Sequence, residues 1–213
     1  TISGAVNPSE GCTPCAAGGY SVGGNSISCT AKTCLPGSAS DKVGSVSPTD
    51  DCIQCLMGSY SPGGTATSCL PINCVPGKFS STLGATSESD GCNSCAPGSY
   101  SIGGAITTCS PMTCNPGAFS DTFGSINPND GCGDCVVGTY SAGGASTTCS
   151  AMNCNAGAIA TLTGAGHDQD GCVACAAGSY GNGGASTVCF PKECVAGKYS
   201  PNVGATSSTD GSS

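Results

Sequence analysis

Twenty cysteines recur along this 213-residue chain with a period of 40 and no slippage. They stand at Cys12, Cys15, Cys29 and Cys34, then at Cys52, Cys55, Cys69 and Cys74. The same four positions return at Cys92, Cys95, Cys109 and Cys114, at Cys132, Cys135, Cys149 and Cys154, and at Cys172, Cys175, Cys189 and Cys194. Every cysteine belongs to this lattice, whose spacing is C-x2-C-x13-C-x4-C. A repeat without insertions implies an array whose units contact mainly their sequence neighbours, not a globule around one core. A 40-residue unit rarely folds on apolar burial alone and needs covalent staples. The expected divisions are a partial repeat over 1–11 and repeats over 12–51, 52–91, 92–131, 132–171 and 172–211, the last arm being incomplete over 195–213.

Each unit splits into two similar arms. The first reads Cys15-Ala-Ala-Gly18-Gly-Tyr20-Ser21, then Gly23-Gly24, then Cys29, and it recurs with Tyr60, Tyr100, Tyr140 and Tyr180. The second reads Cys74-Val-Pro-Gly77-Lys-Phe79-Ser80, then Gly84, then Asp90-Gly91-Cys92. Its aromatic position is looser: Phe79, Phe119 and Tyr199, but Ala39 and Ile159. Gly18 and its equivalents suit a turn that needs positive φ or close backbone approach. The Gly-Gly pairs read as hairpin turns. Segments such as Ser26-Ile27-Ser28 and Ile106-Thr107-Thr108 alternate as short strands do. No window holds helical periodicity. The tyrosines are expected to pack over a disulfide or a neighbouring backbone; the rival use is an exposed aromatic stripe for carbohydrate. The predicted fold is a set of small disulfide-rich repeats in an elongated tandem array of short β-hairpins and turns, with no single core and essentially no helix.

Four cysteines per unit allow three pairings. Arm symmetry favours Cys15–Cys29, then Cys34–Cys52, and so on down the chain, which leaves Cys12 and Cys194 open. Ser212 stands where the partner of Cys194 would fall. A nested scheme, Cys15–Cys29 inside Cys12–Cys34, and a crossed scheme, Cys12–Cys29 with Cys15–Cys34, are the alternatives. Under the first scheme Cys194 of one chain can bridge Cys12 of the next, giving a head-to-tail homo-polymer; the plainer reading is a segment cut from a longer array. Zinc is the chemical alternative for the cysteines, since four thiolates make a tetrahedral site. Spacers of Gly, Ser and Thr with almost no Lys argue against it, and no cofactor is expected.

Net charge is −8, with five basic residues, all lysine. That lacks the basic footprint of phosphate binding, so neither nucleic acid nor an anionic membrane surface is an expected partner. No stretch approaches the length of a membrane span. The chain starts at Thr1 and is read as a processed product or fragment. Disulfides place it outside the cytosol, secreted or at the cell surface. His167 is the only histidine and is expected in a solvated loop. No nucleophile elbow or paired carboxylate stands out, so no enzyme is expected. The recurring Asp50, Asp90, Asp130, Asp170 and Asp210 read as turn formers rather than calcium ligands, which would need more oxygens per loop. O-glycans on positions such as Ser47, Thr49 and Ser87 are a compositional expectation. If one unit carries a ligand site, it is sought where the repeats diverge, at Ile159 and Gly166-His167.

The segment Cys15-x2-Gly18-x-Tyr20-x8-Cys29 resembles the opening loop of tumour-necrosis-factor-receptor-type modules and of ephrin-receptor-like cysteine repeats. In such loops the two cysteines bridge each other. Over its full length the chain is similar to ciliate immobilisation antigens and related surface-coat proteins, through C-x2-C pairs, a long spacer, then C-x4-C. That resemblance implies an extracellular structural protein of a cell-surface coat or filament. The receptor-like resemblance implies the alternative, a cysteine-rich ectodomain that binds a protein or glycan.

Overall fold

The computed structural model describes residues 10–210. The expected partial repeat falls outside them up to residue 9, as does Ser212. Among the described residues there is no helix. The regular structure is a series of two- and three-residue strands, joined as nine separate antiparallel hairpins. The chain divides into two compact units.

The first unit runs to Ser94 and takes in Ser101–Cys109. In it β1 (Gly19–Tyr20) pairs with β2 (Thr30–Ala31), and β3 (Ser38–Ala39) with β4 (Ile53–Gln54). Likewise β5 (Ser59–Tyr60) pairs with β6 (Leu70–Pro71), and β7 (Lys78–Ser80) with β8 (Cys92–Ser94). The second unit holds Cys95–Tyr100 and the residues from Ser110 onward. Its hairpins are β9 (Ser99–Tyr100) with β10 (Ser110–Pro111), β11 (Ala118–Phe119) with β12 (Gly133–Asp134), and β13 (Thr139–Tyr140) with β14 (Ser150–Ala151). β15 (Ala158–Ala160) with β16 (Cys172–Ala174) and β17 (Ser179–Tyr180) with β18 (Phe190–Pro191) complete it.

A tight turn launches each hairpin. In Leu35-Pro36-Gly37-Ser38 the Ser38 N–H donates to the Leu35 carbonyl at 3.0 Å, and Gly37 has φ +82°. Pro at the second position and a positive-φ glycine at the third are the requirements of a type II turn. Asn115-Pro116-Gly117-Ala118 repeats it in the second unit, with Gly117 at φ +89°.

Two or three ladder rungs do not hold a hairpin in water by themselves. The arms therefore bond to one another. In the first unit Cys34 and Gly64 exchange both backbone bonds at 3.1 and 2.8 Å, Gly37 N–H donates to Ser61 at 2.8 Å, and Ser40 N–H to Ala66 at 3.0 Å. The second unit repeats the set: Cys114 and Gly144 at 3.2 and 2.7 Å, Gly117 to Ser141 at 2.7 Å, Ser120 to Ser146 at 2.9 Å. Arms two apart also touch. A Cβ on Gly58 would sit 2.7 Å from the Ala105 carbonyl oxygen, and one on Gly117 would collide with the Gly164 carbonyl.

The interior is a series of small clusters. In the first unit Ile72, Cys74 and Ala85 are buried together, with Tyr60 and Cys92 against them. In the second, Met112, Cys114 and Ala118 form one cluster with Tyr100, and Met152, Cys154, Ala160 and Ala165 another with Tyr140. Alanine and half-cystine carry these cores, as a chain without Trp requires.

Two local expectations are corrected. The Gly-Gly pairs are not two-residue hairpin tips. Gly63 and Gly64, at φ +81° and +65°, lie within the long β5–β6 loop and dock on the preceding arm, where a Cβ on Gly63 would stand 2.7 Å from the Cys34 oxygen. The segments at 26–28 and 106–108 are irregular, and strand pairing resumes only at Thr30 and Ser110. Ile106 shows why: its carbonyl accepts a single bond from Ser80 N–H of the neighbouring arm at 2.9 Å, which serves packing between arms rather than a ladder.

Candidate functional site

The feature that the arms share, up to the one that begins at Cys194, is a bridge. The first-arm bonds are Cys15–Cys29, Cys55–Cys69, Cys135–Cys149 and Cys175–Cys189. The second-arm bonds are Cys34–Cys52, Cys74–Cys92, Cys114–Cys132 and Cys154–Cys172. Cα separations lie between 5.6 and 5.8 Å, within the range a disulfide accepts. Cys95 and Cys109 are disulfide-bonded as well. The pairing is the within-arm scheme rather than the nested or crossed one. Cys12, exposed, and Cys194, part-buried, are thiols. With the other cysteines oxidised, tetrathiolate zinc sites have no ligands to draw on.

Each second-arm bridge joins the last cysteine of one 40-residue repeat to the first cysteine of the next. The hydrogen bonds follow the same path. Gly44 N–H donates to the Cys15 carbonyl at 2.8 Å, Gly84 to Cys55 at 2.8 Å, and Gly164 to Cys135 at 2.8 Å. The tyrosine backbones are bridged in parallel to the following arm: Tyr20 to Ser45, Tyr60 to Ala85, Tyr100 to Ser125, Tyr140 to Ala165 and Tyr180 to Ala205. Their rings are half-buried, and Tyr180 also stacks on Phe190 with centroids 5.6 Å apart.

The serine after the tyrosine has a role that the sequence reading did not assign. Ser61 is fully buried. Its Oγ accepts the Gly63 N–H at 3.0 Å and donates to the Ser38 carbonyl of the preceding arm at 2.8 Å. Ser101 does the same with Gly103 and Lys78, at 3.0 and 2.7 Å. The signal available in the sequence was the Tyr-Ser dipeptide in four units, replaced by Tyr180-Gly181 in the fifth.

Lys32 is the least expected core residue. It is only 1% exposed, and its Nζ donates to Ser40 Oγ at 2.7 Å, to Ser45 Oγ at 2.9 Å and to the Asp50 carbonyl. Three acceptors match the three donors of the head group, and none is a carboxylate. The same position holds Ile72, Met112 and Met152 in the following repeats. Where it is Met112, the hydroxyls of Ser120 and Ser125 instead donate directly to the Asp130 carbonyl at 3.3 and 3.4 Å. Lys32→Met is therefore expected to hold or raise stability, by up to about 3 kcal/mol, because removing a well-bonded buried polar head spares its desolvation. Thermal unfolding with the bridges intact reads the effect, and a clear loss of stability would refute it.

The recurring aspartates cap their own loops. Asp90 Oδ2 accepts the Thr86 N–H at 3.0 Å and its hydroxyl at 3.1 Å, and Asp210 accepts the same pair from Thr206 at 3.0 and 3.1 Å. Asp170 takes the amides of Gly166 and His167 at 3.1 and 2.9 Å, and Asp130 that of Ile126 at 3.2 Å. The Thr86 backbone bond, then its hydroxyl bond, lowers the Asp90 carboxyl below its usual value; the Thr206 bonds do the same for Asp210. A carboxyl depressed in the folded state contributes stability above its unfolded value and loses it as pH falls through the folded one. Acidification below the usual carboxylate range is thus expected to loosen these loops while the bridges hold. Amide exchange at Thr86 and Thr206 that stays constant through that range would refute this. In the first repeat Asp51 takes the left-handed position, φ +55°, that Gly91, Gly131 and Gly171 hold elsewhere.

Shallow grooves recur beside the second-arm hairpins. In the second unit a groove of about 430 Å3 is lined by Phe119, Asp121, Asp134, Val136, Thr139 and Thr147. Its counterpart in the first unit, about 280 Å3, has Ala39, Asp41, Gln54, Leu56, Ser59 and Thr67 at the same places. Neither groove includes Ile159 or Gly166-His167. Among the described residues no cluster of His, Cys, Asp or Glu is placed to hold a metal ion, and no helix is long and apolar enough to cross a membrane. No protein-family model matches the chain, and no curated protein is detectably similar to it.

Proposed function

We propose that this cysteine-rich, disulfide-stapled repeat protein is an extracellular, non-catalytic building block of a cell-surface coat or filament, of the kind its sequence resembles in ciliate immobilisation antigens. The observation that carries the reading is what the recurring residues do. Bridges, turn glycines, tyrosine backbones, buried serines and loop aspartates all direct their bonds into their own or neighbouring arms. What repeats is therefore scaffold, and bridges in every arm from Cys15 to Cys189 call for an oxidising compartment. Exposed Thr49 and Ser87 and half-buried Ser47 offer acceptors for O-glycans, which an intact mass above 20.2 kDa would register. Antibody labelling of intact cells, with negative-stain imaging of native material, tests the reading. Surface label and rods or fibrils are expected; label that appears only after permeabilisation overturns it.

One observation favours the second reading, a ligand-binding ectodomain. The grooves differ between repeats, with Phe119 and Asp134 where the first unit has Ala39 and Gln54. A ligand whose binding is lost in Phe119→Ala and Asp134→Asn, but kept in Gln54→Ala, would support it.

A further inference from the structure

One groove departs from the repeated scaffold in a way that selects a ligand. In the second unit Phe119, Asp121 and Asp134 line the same recess of about 430 Å3. Their equivalents are Ala39, Asp41 and Gln54 in the first repeat, Phe79, Ser81 and Ser94 in the second, and Ile159, Thr161 and Ala174 in the fourth. Among these four repeats a ring and two carboxylates coincide only in the third. The width of the groove has a local cause. In the first unit the Gln54 side chain lies over the turn of the next arm, where a Cβ on Gly84 would collide with its amide. Asp134 is shorter, and its Cγ stays 3.8 Å from where a Cβ on Gly164 would stand. Val136 likewise takes the place of Leu56, and the recess opens to about 430 Å3 from the about 280 Å3 of the first unit.

Three polar groups of this groove can only accept. Loop amides occupy the carboxylates of Asp90, Asp130, Asp170 and Asp210, but among the described residues neither Asp121 nor Asp134 takes such a bond. Thr139 Oγ1 already donates to the Val136 carbonyl at 2.8 Å, so it offers the groove lone pairs alone. No lysine lines the recess, in a chain whose net charge is −8.

We propose that this groove binds the guanidinium group of an arginine presented by a partner protein. Two carboxylates without a counter-charge select a cation. Acceptors on the groove side select a ligand group made of donors, and guanidinium has five N–H groups and no acceptor. The half-buried ring of Phe119 adds a face on which a planar cation stacks, which a compact ammonium does less well. A second copy of this chain cannot be the partner, because its five basic residues are all lysine. A neutral sugar would also lie on the ring, but it leaves both charges uncompensated and sets its own lone pairs against theirs. The inference rests on the ligand-binding reading, whose ligand it names, and not on the coat reading.

Isotope-labelled, oxidised full-length protein, titrated by NMR with the blocked peptide acetyl-Gly-Arg-Gly-amide, tests it. The same peptide with citrulline keeps the shape without the charge, and with lysine keeps the charge without the plane. Saturable amide shifts are expected around Phe119, Asp121, Asp134 and Val136 with the arginine peptide. Citrulline is expected to give none, and lysine to bind about threefold more weakly. Asp121→Asn and Asp134→Asn should each weaken the arginine peptide about tenfold, and Phe119→Leu about threefold, while Gln54→Ala changes nothing. Spectra away from the groove report that each variant keeps its fold. Equal binding of citrulline or lysine, or full affinity in both Asn variants, overturns the proposal. A neutral oligosaccharide such as cellohexaose separates the two failures. Groove shifts with the sugar but not with the arginine peptide overturn the guanidinium assignment and keep the ligand-binding reading. No shift with either overturns the proposal and removes the groove as support for that reading.

Discussion

Full reduction is expected to unfold the protein, and removing one bridge, by Cys114→Ala with Cys132→Ala, to cost about 3 kcal/mol. The estimate follows from the loop closed in the unfolded chain, whose cysteines are 18 residues apart. Apolar burial cannot make up the difference. The cluster around this bridge holds only Met112, Cys114 and Ala118, with Tyr100 and Cys132 packed against it. Two-rung hairpins add little by themselves. In an array, stability is a sum over units and their interfaces. The arm over 114–132 should therefore open together with the arm it bonds to, at Gly144, before the rest of its unit. Hydrogen exchange on the double variant reads that pattern, and circular dichroism reads the fully reduced protein. A reduced chain that kept the spectrum of the oxidised one would refute the first expectation. A uniform loss of protection would refute the second.

Gly117→Ala is expected to destabilise the protein by about 3 kcal/mol, and Gly144→Ala by only about 1 kcal/mol. Both glycines have positive φ, +89° and +64°, so both substitutions carry the left-handed penalty of an L-residue. Only Gly117 meets an obstacle. Its added Cβ would collide with the Gly164 carbonyl, while Gly144 faces open space. A backbone carbonyl cannot rotate aside as a side chain can, so the two arms must separate. They would lose the bond from Gly164 N–H to Cys135 and that from Cys135 N–H to Gly117, each 2.8 Å. Denaturant unfolding of the two variants with bridges intact makes the comparison. Equal losses would mean that the close approach contributes nothing.

Much of this was legible because the determinants are local. Cysteines at a fixed period, turn glycines such as Gly18 and the lack of helical periodicity lead to short bridged hairpins. The likeness of the arms beginning at Cys15 and Cys34 led to the bond pattern, since equivalent loops close in equivalent ways. The Asp-Gly turns were visible for the same reason. The buried serines were not, because Ser61 earns its place through a carbonyl 23 residues earlier in sequence. Nothing in the sequence marked Lys32 for burial, yet it fills the slot of Ile72 because Ser40, Ser45 and the Asp50 carbonyl converge there. The grooves beside β11 and β12 likewise form only where separate arms meet.

The sequence by itself determined the unit, its staples and its turns, since disulfide spacing and the positive-φ demand on glycine act within one arm. The tertiary structure decided what each arm rests on. It set the Gly-Gly pairs from Gly63-Gly64 onward against the preceding arm, left residues 26–28 and 106–108 irregular, and buried a lysine head among serines. Those outcomes depend on backbone groups brought together from different arms, and composition within one arm carries no record of that meeting.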